Sequence, residues 1–207
     1  MNTPEFISAL MRPDAYAHSC GEVQLVETHI SWVFLTGDYA YKVKKPVQFN
    51  FIDFSTLALR AHYCEEEVRC NRSFSPELYV GVVTINQDDE GCYRVAGPGR
   101  VVESAVRMRQ FPGAQQLDNL LAADALQAPA MRRFGLDLAD QHAKLPCLQG
   151  DDEVDTRVRK PVLDNFRTLG PLRASRAHET LLKRLEADSR SAFQRLRPRF
   201  VRRLQDG

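Results

Sequence analysis

The chain has 207 residues, with 28 lysines and arginines against 27 aspartates and glutamates, for a net charge of +1. That balance excludes a global electrostatic pull toward nucleic acid or acidic membrane surfaces. An apolar content of 43% suits a globular protein of one or two domains with a sizeable core, and the apolar runs are too short to cross a bilayer.

The N-terminal stretch MNTPEFISALMRPDAY has an acid and a proline early and lacks a basic-then-apolar signal pattern, so a cytoplasmic location is expected. The five cysteines, Cys20, Cys64, Cys70, Cys92 and Cys147, are odd in number and form no CxxC spacing. They are expected as reduced, partly buried thiols. The five histidines are scattered, and no HExxH pair suggests a metal site.

In chain order, residues 4–11 predict a short amphipathic helix, stopped by Arg12-Pro13-Asp14 because proline cannot continue it. Gly21 to Glu27 predicts a first strand. Ile30 to Leu35, rich in β-branched and aromatic residues, predicts a second. Thr36-Gly37-Asp38 supplies a tight turn, and Tyr39 to Lys45 returns as a third strand, closed by Pro46. A helix follows, started by Asp53 or Ser55 as N-cap and ended by Ser75-Pro76. Leu78 to Ile85 predicts a buried strand, Cys92 to Ala96 a short one, and Val101 to Phe111 an alternating one. The strands and the single helix between Gly21 and Phe111 predict a compact α+β unit. From Gln115 onward only helices are expected: 116–123, 128–145, 161–169 and a long, arginine-rich one over 175–204, kinked at Pro198. An acidic loop, residues 150–153, separates the second from the third. The domain division expected is 1–111 and 112–207. Glu179, Glu186 and Asp188 interrupt the basic stripe of the last helix, which argues against a nucleic-acid interface there.

Two features carry chemistry. Side chains alternate along a strand, so Ala40, Lys42 and Lys44 share one face. Such a face suits a solvated outer strand or a cleft for a flat base and a polyphosphate. The helix is the better witness. At about 100° per residue, Leu57, Ala61, Cys64, Val68 and Asn71 form its inward stripe. Of three consecutive glutamates, Glu66 points away, Glu65 lies on a polar flank and Glu67 on a mostly apolar one. A carboxylate there is costly unless a cation meets it, so Glu67 is expected to need a partner such as a strand lysine.

The run from Glu27 to Val83, ETHISWVFLTGDYAYKVKKPVQFNFIDFSTLALRAHYCEEEVRCNRSFSPELYVGVV, resembles the bacterial aminoglycoside-phosphotransferase-like family of kinase-like proteins, many of which carry a following P-loop ATPase domain. The resemblance implies a protein-kinase-like α+β fold, with a β-rich N-lobe holding one main helix and an incomplete helical C-lobe. It implies ATP and Mg²⁺ as cofactors and a small-molecule phosphate acceptor of unspecified identity. Ala40-Tyr41-Lys42 looks like the Ala-x-Lys of the third strand, with Lys42 or Lys44 on the α- and β-phosphates and Glu67 holding the lysine. Val106 to Leu121 resembles a hinge: Met108 and Ala40 would flank the adenine, and backbone groups at Gln110 and Phe111 would meet its edge. His142 resembles a late-helix histidine with a packing role. The phosphate loop departs from the family pattern: Glu27 to Ser31 has no glycines, leaving backbone N–H groups and the Thr28 and Ser31 hydroxyls to bind phosphate oxygens. The His-Gly-Asp motif and its following Asn, which would supply the catalytic aspartate and the Mg²⁺ ligands, are absent. The chain is therefore expected to be the nucleotide-binding portion of a phosphotransferase, inactive alone, or a non-catalytic binding or regulatory module. No residue of this chain is assigned to catalysis or to metal binding. A missing C-terminal segment or P-loop domain is the expected partner.

Overall fold

The computed structural model describes residues 4–49, 51–145, 152–172 and 176–206. Its contacts divide the chain into two units, Met1–Phe134 and Gly135–Gly207. The division falls within a helix, downstream of the 111/112 boundary expected from the change in composition.

The first unit is mixed α+β. Helix α1 (Glu5–Ala9) precedes strands β1 (Gln24–Glu27), β2 (Ser31–Leu35) and β3 (Tyr39–Lys44). A two-strand hairpin, β4 (Gln48–Phe49) and β5 (Ile52–Asp53), leads to helix α2 (Leu57–Arg72). Strands β6 (Tyr79–Gln87), β7 (Tyr93–Val95) and β8 (Arg100–Arg109) complete a six-stranded antiparallel sheet of order β1-β2-β3-β8-β6-β7. The β4–β5 hairpin was not expected, since strands of two residues are too short to show alternation. The first strand starts at Gln24, not Gly21, although Val23 is buried.

Alternation along the strands gives the sheet two different faces. Trp32, Phe34, Tyr41, Val43 and Ala105 point to one, where Phe6, Ile7 and Leu10 of α1 and the following chain cover them. Phe6 meets Trp32 edge-on at 6.3 Å. On the other face Val106 packs against Cys64 and Val68 of α2, with Tyr79, Val82 and Met108 around them. Lys42 stands opposite Val106 in the β3–β8 register, so the lysines share this second face with α2.

Thr56 begins α2: its side chain accepts from the Leu59 amide at 3.2 Å. The expected caps do other work. The Asp53 carboxylate accepts from the Ser55 amide and hydroxyl, forming the turn before the helix. Thr56→Ala is expected to cost about 1 kcal/mol, read from urea denaturation, whereas Ser55→Ala costs less. The inward stripe is also rotated at its start. Leu57 is exposed, and the buried position is Arg60. Its guanidinium donates to Glu103 Oε2 (2.7 Å) and to the Phe54 carbonyl (2.9 Å), so an ion pair rather than an apolar contact seats the first turn. Arg72 closes the far end by donating to the carbonyls of Tyr79 and Val80.

Helix α3 (Leu117–Ala122) and helix α4 (Ala128–Ala143) follow the sheet. In the second unit, α5 (Asp152–Val154) runs through a π-helical turn (Asp155–Arg159) into α6 (Lys160–Leu169), and α7 spans Arg176–Asp206. The acidic segment, expected as a loop, is helical from Asp152. Acids favour a helix N-terminus, and Glu153 pairs with Arg157 one turn on. Gly150 and Asp151 lie outside the described residues. On α7, Lys183, Arg184 and Arg190 pair with Glu179, Asp188 and Glu186, and Arg197 reaches Asp155. Much of its basic charge is thus neutralised locally. Helices α6 and α7 border an open, largely apolar pocket of about 230 Å³, lined by Val162, Leu163, Phe193, Leu196 and Phe200 among others. No helix among the described residues is long and apolar enough to cross a membrane.

Candidate anion-binding site on the lysine face

Strand β3 presents Lys42 and Lys44 two residues apart, and α2 presents Glu67 across from them. Both lysines meet this one carboxylate. Lys42 Nζ donates to Oε1 at 2.8 Å and Lys44 Nζ to Oε2 at 2.6 Å. The cation that the apolar flank of α2 demanded is therefore present twice. Glu65 is exposed, and Glu66 pairs with Arg69 on the outer surface.

The two lysines differ in depth. The Lys44 side chain is 5% exposed and that of Lys42 is 28% exposed. Lys44 Nζ also lies 4.9 Å from the Phe54 ring centroid, which Tyr63 flanks. Lys44 is thus enclosed by Glu67 and an aromatic ring, whereas Lys42 faces outward. Cys64 lies near both lysines; burial pushes its thiol up to about 11, which makes it an inert part of the core rather than a nucleophile.

Burial acts to raise the Glu67 pKa, but hydrogen bonds from Lys42 and Lys44, together with their charges, outweigh it and hold the carboxyl below its ordinary value. A carboxyl depressed by folding contributes stability above its unfolded pKa, and the contribution is lost as pH falls through the folded value. Glu103 has the opposite sign. Burial raises its pKa, against the pull of the Ser104 amide and Arg60. It therefore favours the fold more at low pH, and that advantage fades as pH rises through the folded value. Urea denaturation across the acid range should show a loss of stability below the ordinary carboxyl value of 4.5 that is shallower in Glu67→Gln. An unchanged acid limb in that variant would assign it to other carboxylates.

The remaining sequence-derived residues are placed as follows. Ala40 and Met108 stand opposite each other across β3 and β8. Ala40 is already buried, and Met108 packs against the α2 cluster. The Gln110 amide donates to the Asp38 carbonyl (3.0 Å), and its side chain accepts from the Gly37 amide (2.9 Å). Its backbone N–H is committed to the β2–β3 turn, not presented to a ligand. Phe111 is exposed. Thr28 and Ser31 are corrected. The Thr28 hydroxyl accepts from the amides of Ile30 and Ser31 and donates to the Ser31 carbonyl. It builds the β1–β2 turn. The Ser31 hydroxyl is buried and has no hydrogen-bond partner. The Thr28 hydroxyl is already engaged in the turn, and the Ser31 hydroxyl is buried.

Sequence reasoning missed Phe54, whose place over Lys44 no periodicity signals. It also missed Tyr79, which lies close enough to Glu67 for the carboxylate charge to reinforce the rise that burial causes in its phenol. A further grouping arises at the β6–β7 turn, where ligand atoms of Asp88, Glu90 and Cys92 lie within 4.8 Å of one another. Asp88 Oδ1 accepts there from the amides of Glu90 (3.1 Å) and Cys92 (2.8 Å), so this carboxylate shapes the turn. Cys20, Cys64, Cys70 and Cys92 are free thiols; Cys147 lies outside the described residues.

Uncharacterized proteins of Mycobacterium bovis and Mycobacterium tuberculosis are 28% identical to this chain over 141 residues, a match that takes in 67% of the chain and 26% of each relative. The chain thus spans well under half the length of the curated relatives it matches. No family model matches the chain, and no solved structure matches it.

Proposed function

We propose that the chain binds the polyphosphate of ATP at the Lys42–Lys44–Glu67 cluster, as the nucleotide-binding portion of a kinase-like small-molecule phosphotransferase. The observation that carries this reading is the charge count of the cluster. Two ammonium groups share one carboxylate, at 2.8 and 2.6 Å, leaving one positive charge unmatched. The more exposed lysine is Lys42, so the excess charge lies where a ligand can reach it. A phosphate oxygen at Lys42 would find Glu67 still held by Lys44. The strand lysine opposite a helix glutamate is the arrangement by which kinase-like sites orient ATP phosphates, and the mixed α+β unit with one helix over the lysine face is consistent with an N-lobe.

The cluster suits phosphates better than Mg²⁺. Glu67 is the only carboxylate in it, and both its oxygens accept from ammonium groups. A divalent ion prefers free carboxylate oxygens, which the cluster does not offer, so no step through the metal follows from these residues. The same fact favours a second reading, a kinase-like module that binds without turnover.

Calorimetric titration with ATP at low ionic strength tests the reading. Saturable binding that weakens with salt is expected, because a partly exposed charge contact is screened. Heat indistinguishable from dilution would refute it. Phosphate transfer from ATP to a hydroxyl acceptor, abolished by Lys42→Met, would rule out the second reading.

A further inference from the structure

The opposite face of the same strands carries a second cationic group, for which the described residues supply no carboxylate partner. Tyr39 and Tyr41 of β3 stand directly across from Arg109 and Arg107 of β8. Both guanidinium groups lie over the Tyr39 ring, at 5.1 Å for Arg107 and 5.8 Å for Arg109. The His18 ring sits 5.1 Å from the same ring. Its Nε2 is 3.1 Å from the Tyr41 hydroxyl and 3.4 Å from Thr36 Oγ1. Three groups able to carry positive charge therefore surround one tyrosine.

None of them is neutralised by a carboxylate among the described residues. Arg107 is half-buried; its Nε is itself buried without an acceptor, and its guanidinium meets the Tyr41 hydroxyl. Arg109 is exposed. Asp38, at the adjoining turn, makes no ion pair with either. Stacking on an aromatic ring uses the face of a guanidinium and leaves its N–H edge available. On the other side of β8, the residue opposite Arg107 is Gly81, so no cross-strand side chain stands over the guanidinium from β6. Residues two apart on a strand are about 7 Å from each other, and like charges at that spacing repel. An arrangement that gathers cations around one ring, holds them by stacking and by His18 and Arg107 contacts to Tyr41, and sets no carboxylate among the described residues against them is suited to accept an anion beside the exposed Arg109.

We infer that Arg107, Arg109 and His18, gathered around Tyr39, form a second anion site for a phosphate monoester, on the sheet face opposite Lys42. Two guanidinium forks and a histidine match a doubly charged tetrahedral group better than a single planar carboxylate, which one arginine satisfies. The inference does not depend on ATP binding at the lysine face, because the sheet separates the two sites.

The test is NMR titration of the full chain with inorganic phosphate, following the Arg107 Nε–Hε resonance, with sodium chloride of equal ionic strength as control. A saturable shift is expected with phosphate and none with chloride. It should persist in Lys42→Met, which keeps this site separate from the lysine face. Arg107→Gln combined with Arg109→Gln, followed at the His18 ring, should weaken the apparent affinity at least about tenfold, the equivalent of one charge-assisted hydrogen bond. If the double variant does not fold, Arg109→Gln alone, at an exposed strand end, carries the comparison. A lipid headgroup presents the same oxygens, so a parallel arm uses phosphatidylcholine vesicles containing phosphatidic acid. Arginine-dependent binding to those vesicles without binding to free phosphate would support the site and identify a lipid source. Equal shifts with chloride and phosphate together with no arginine-dependent binding to the vesicles, or unchanged affinity in the arginine variants, overturn the inference.

Discussion

Replacing Glu67 with alanine is expected to destabilise the first unit by about 3–5 kcal/mol, the usual cost of stranding a buried charge. The loss comes less from the missing contact than from what is left behind. Lys44 would keep its ammonium under Phe54 with a side chain 5% exposed and no carboxylate to meet it. Lys42 can turn toward solvent and relieve its own share, but Lys44 cannot without opening the sheet from α2. Urea denaturation and thermal melting read the effect directly, with a fall in Tm on the order of 10 °C. A companion variant separates charge from packing. Glu67→Leu together with Lys44→Met removes both buried charges and should recover much of the loss, as apolar replacements of buried ion pairs do. A cost below about 1 kcal/mol for Glu67→Ala, typical of surface pairs, would mean that Lys44 is solvated in solution and that Glu67 does not hold it.

Lys42→Met is expected to have the opposite profile: a small change in stability and a Kd for ATP weaker by at least about tenfold, equivalent to one charge-assisted hydrogen bond. Its side chain is 28% exposed, and removing it leaves Glu67 paired with Lys44. Lys44→Met should instead perturb stability more than affinity, because Lys44 acts by keeping Glu67 and α2 in place. Calorimetry with ATP and denaturation on the same two variants read this crossing pattern. If Lys44→Met abolishes binding while leaving the fold intact, and Lys42→Met does neither, the assignment of the two lysines is reversed.

Much of this site was legible in one dimension. Alternation along β3 placed Lys42 and Lys44 on a shared face, and the 100° step of α2 separated Glu67 from its two neighbours on polarity alone. Both inferences need only the period of a regular element, which the local sequence sets. The depth of each lysine was not legible. Two residues on the same strand face have the same period, and only the neighbours that cover them distinguish buried from exposed. Phe54, which encloses Lys44, comes from an irregular stretch between β5 and α2 where no periodicity applies. The same limit explains Thr28 and Ser31. Hydroxyl residues in a turn can serve a ligand or the turn itself; Thr28 accepts from the Ile30 and Ser31 amides that close the β1–β2 connection, and packing buries the Ser31 hydroxyl. Arg60 shows a third case. It lies outside the inward stripe that periodicity draws on α2, and its buried partner is Glu103, forty-three residues away in sequence.

The sequence by itself determined the near-neutral charge, the strands of the main sheet and the longer helices to within a few residues, and the need of Glu67 for a cation. These follow from composition, periodicity and the cost of an unpaired carboxylate on an apolar flank. Only the tertiary structure decided that one carboxylate serves two lysines, that the outer one faces solvent, and that the arginines of β8 gather around Tyr39 on the reverse face. Each of these depends on which strands become neighbours. The pairing of β3 with β8 joins segments more than sixty residues apart, and no local pattern encodes it.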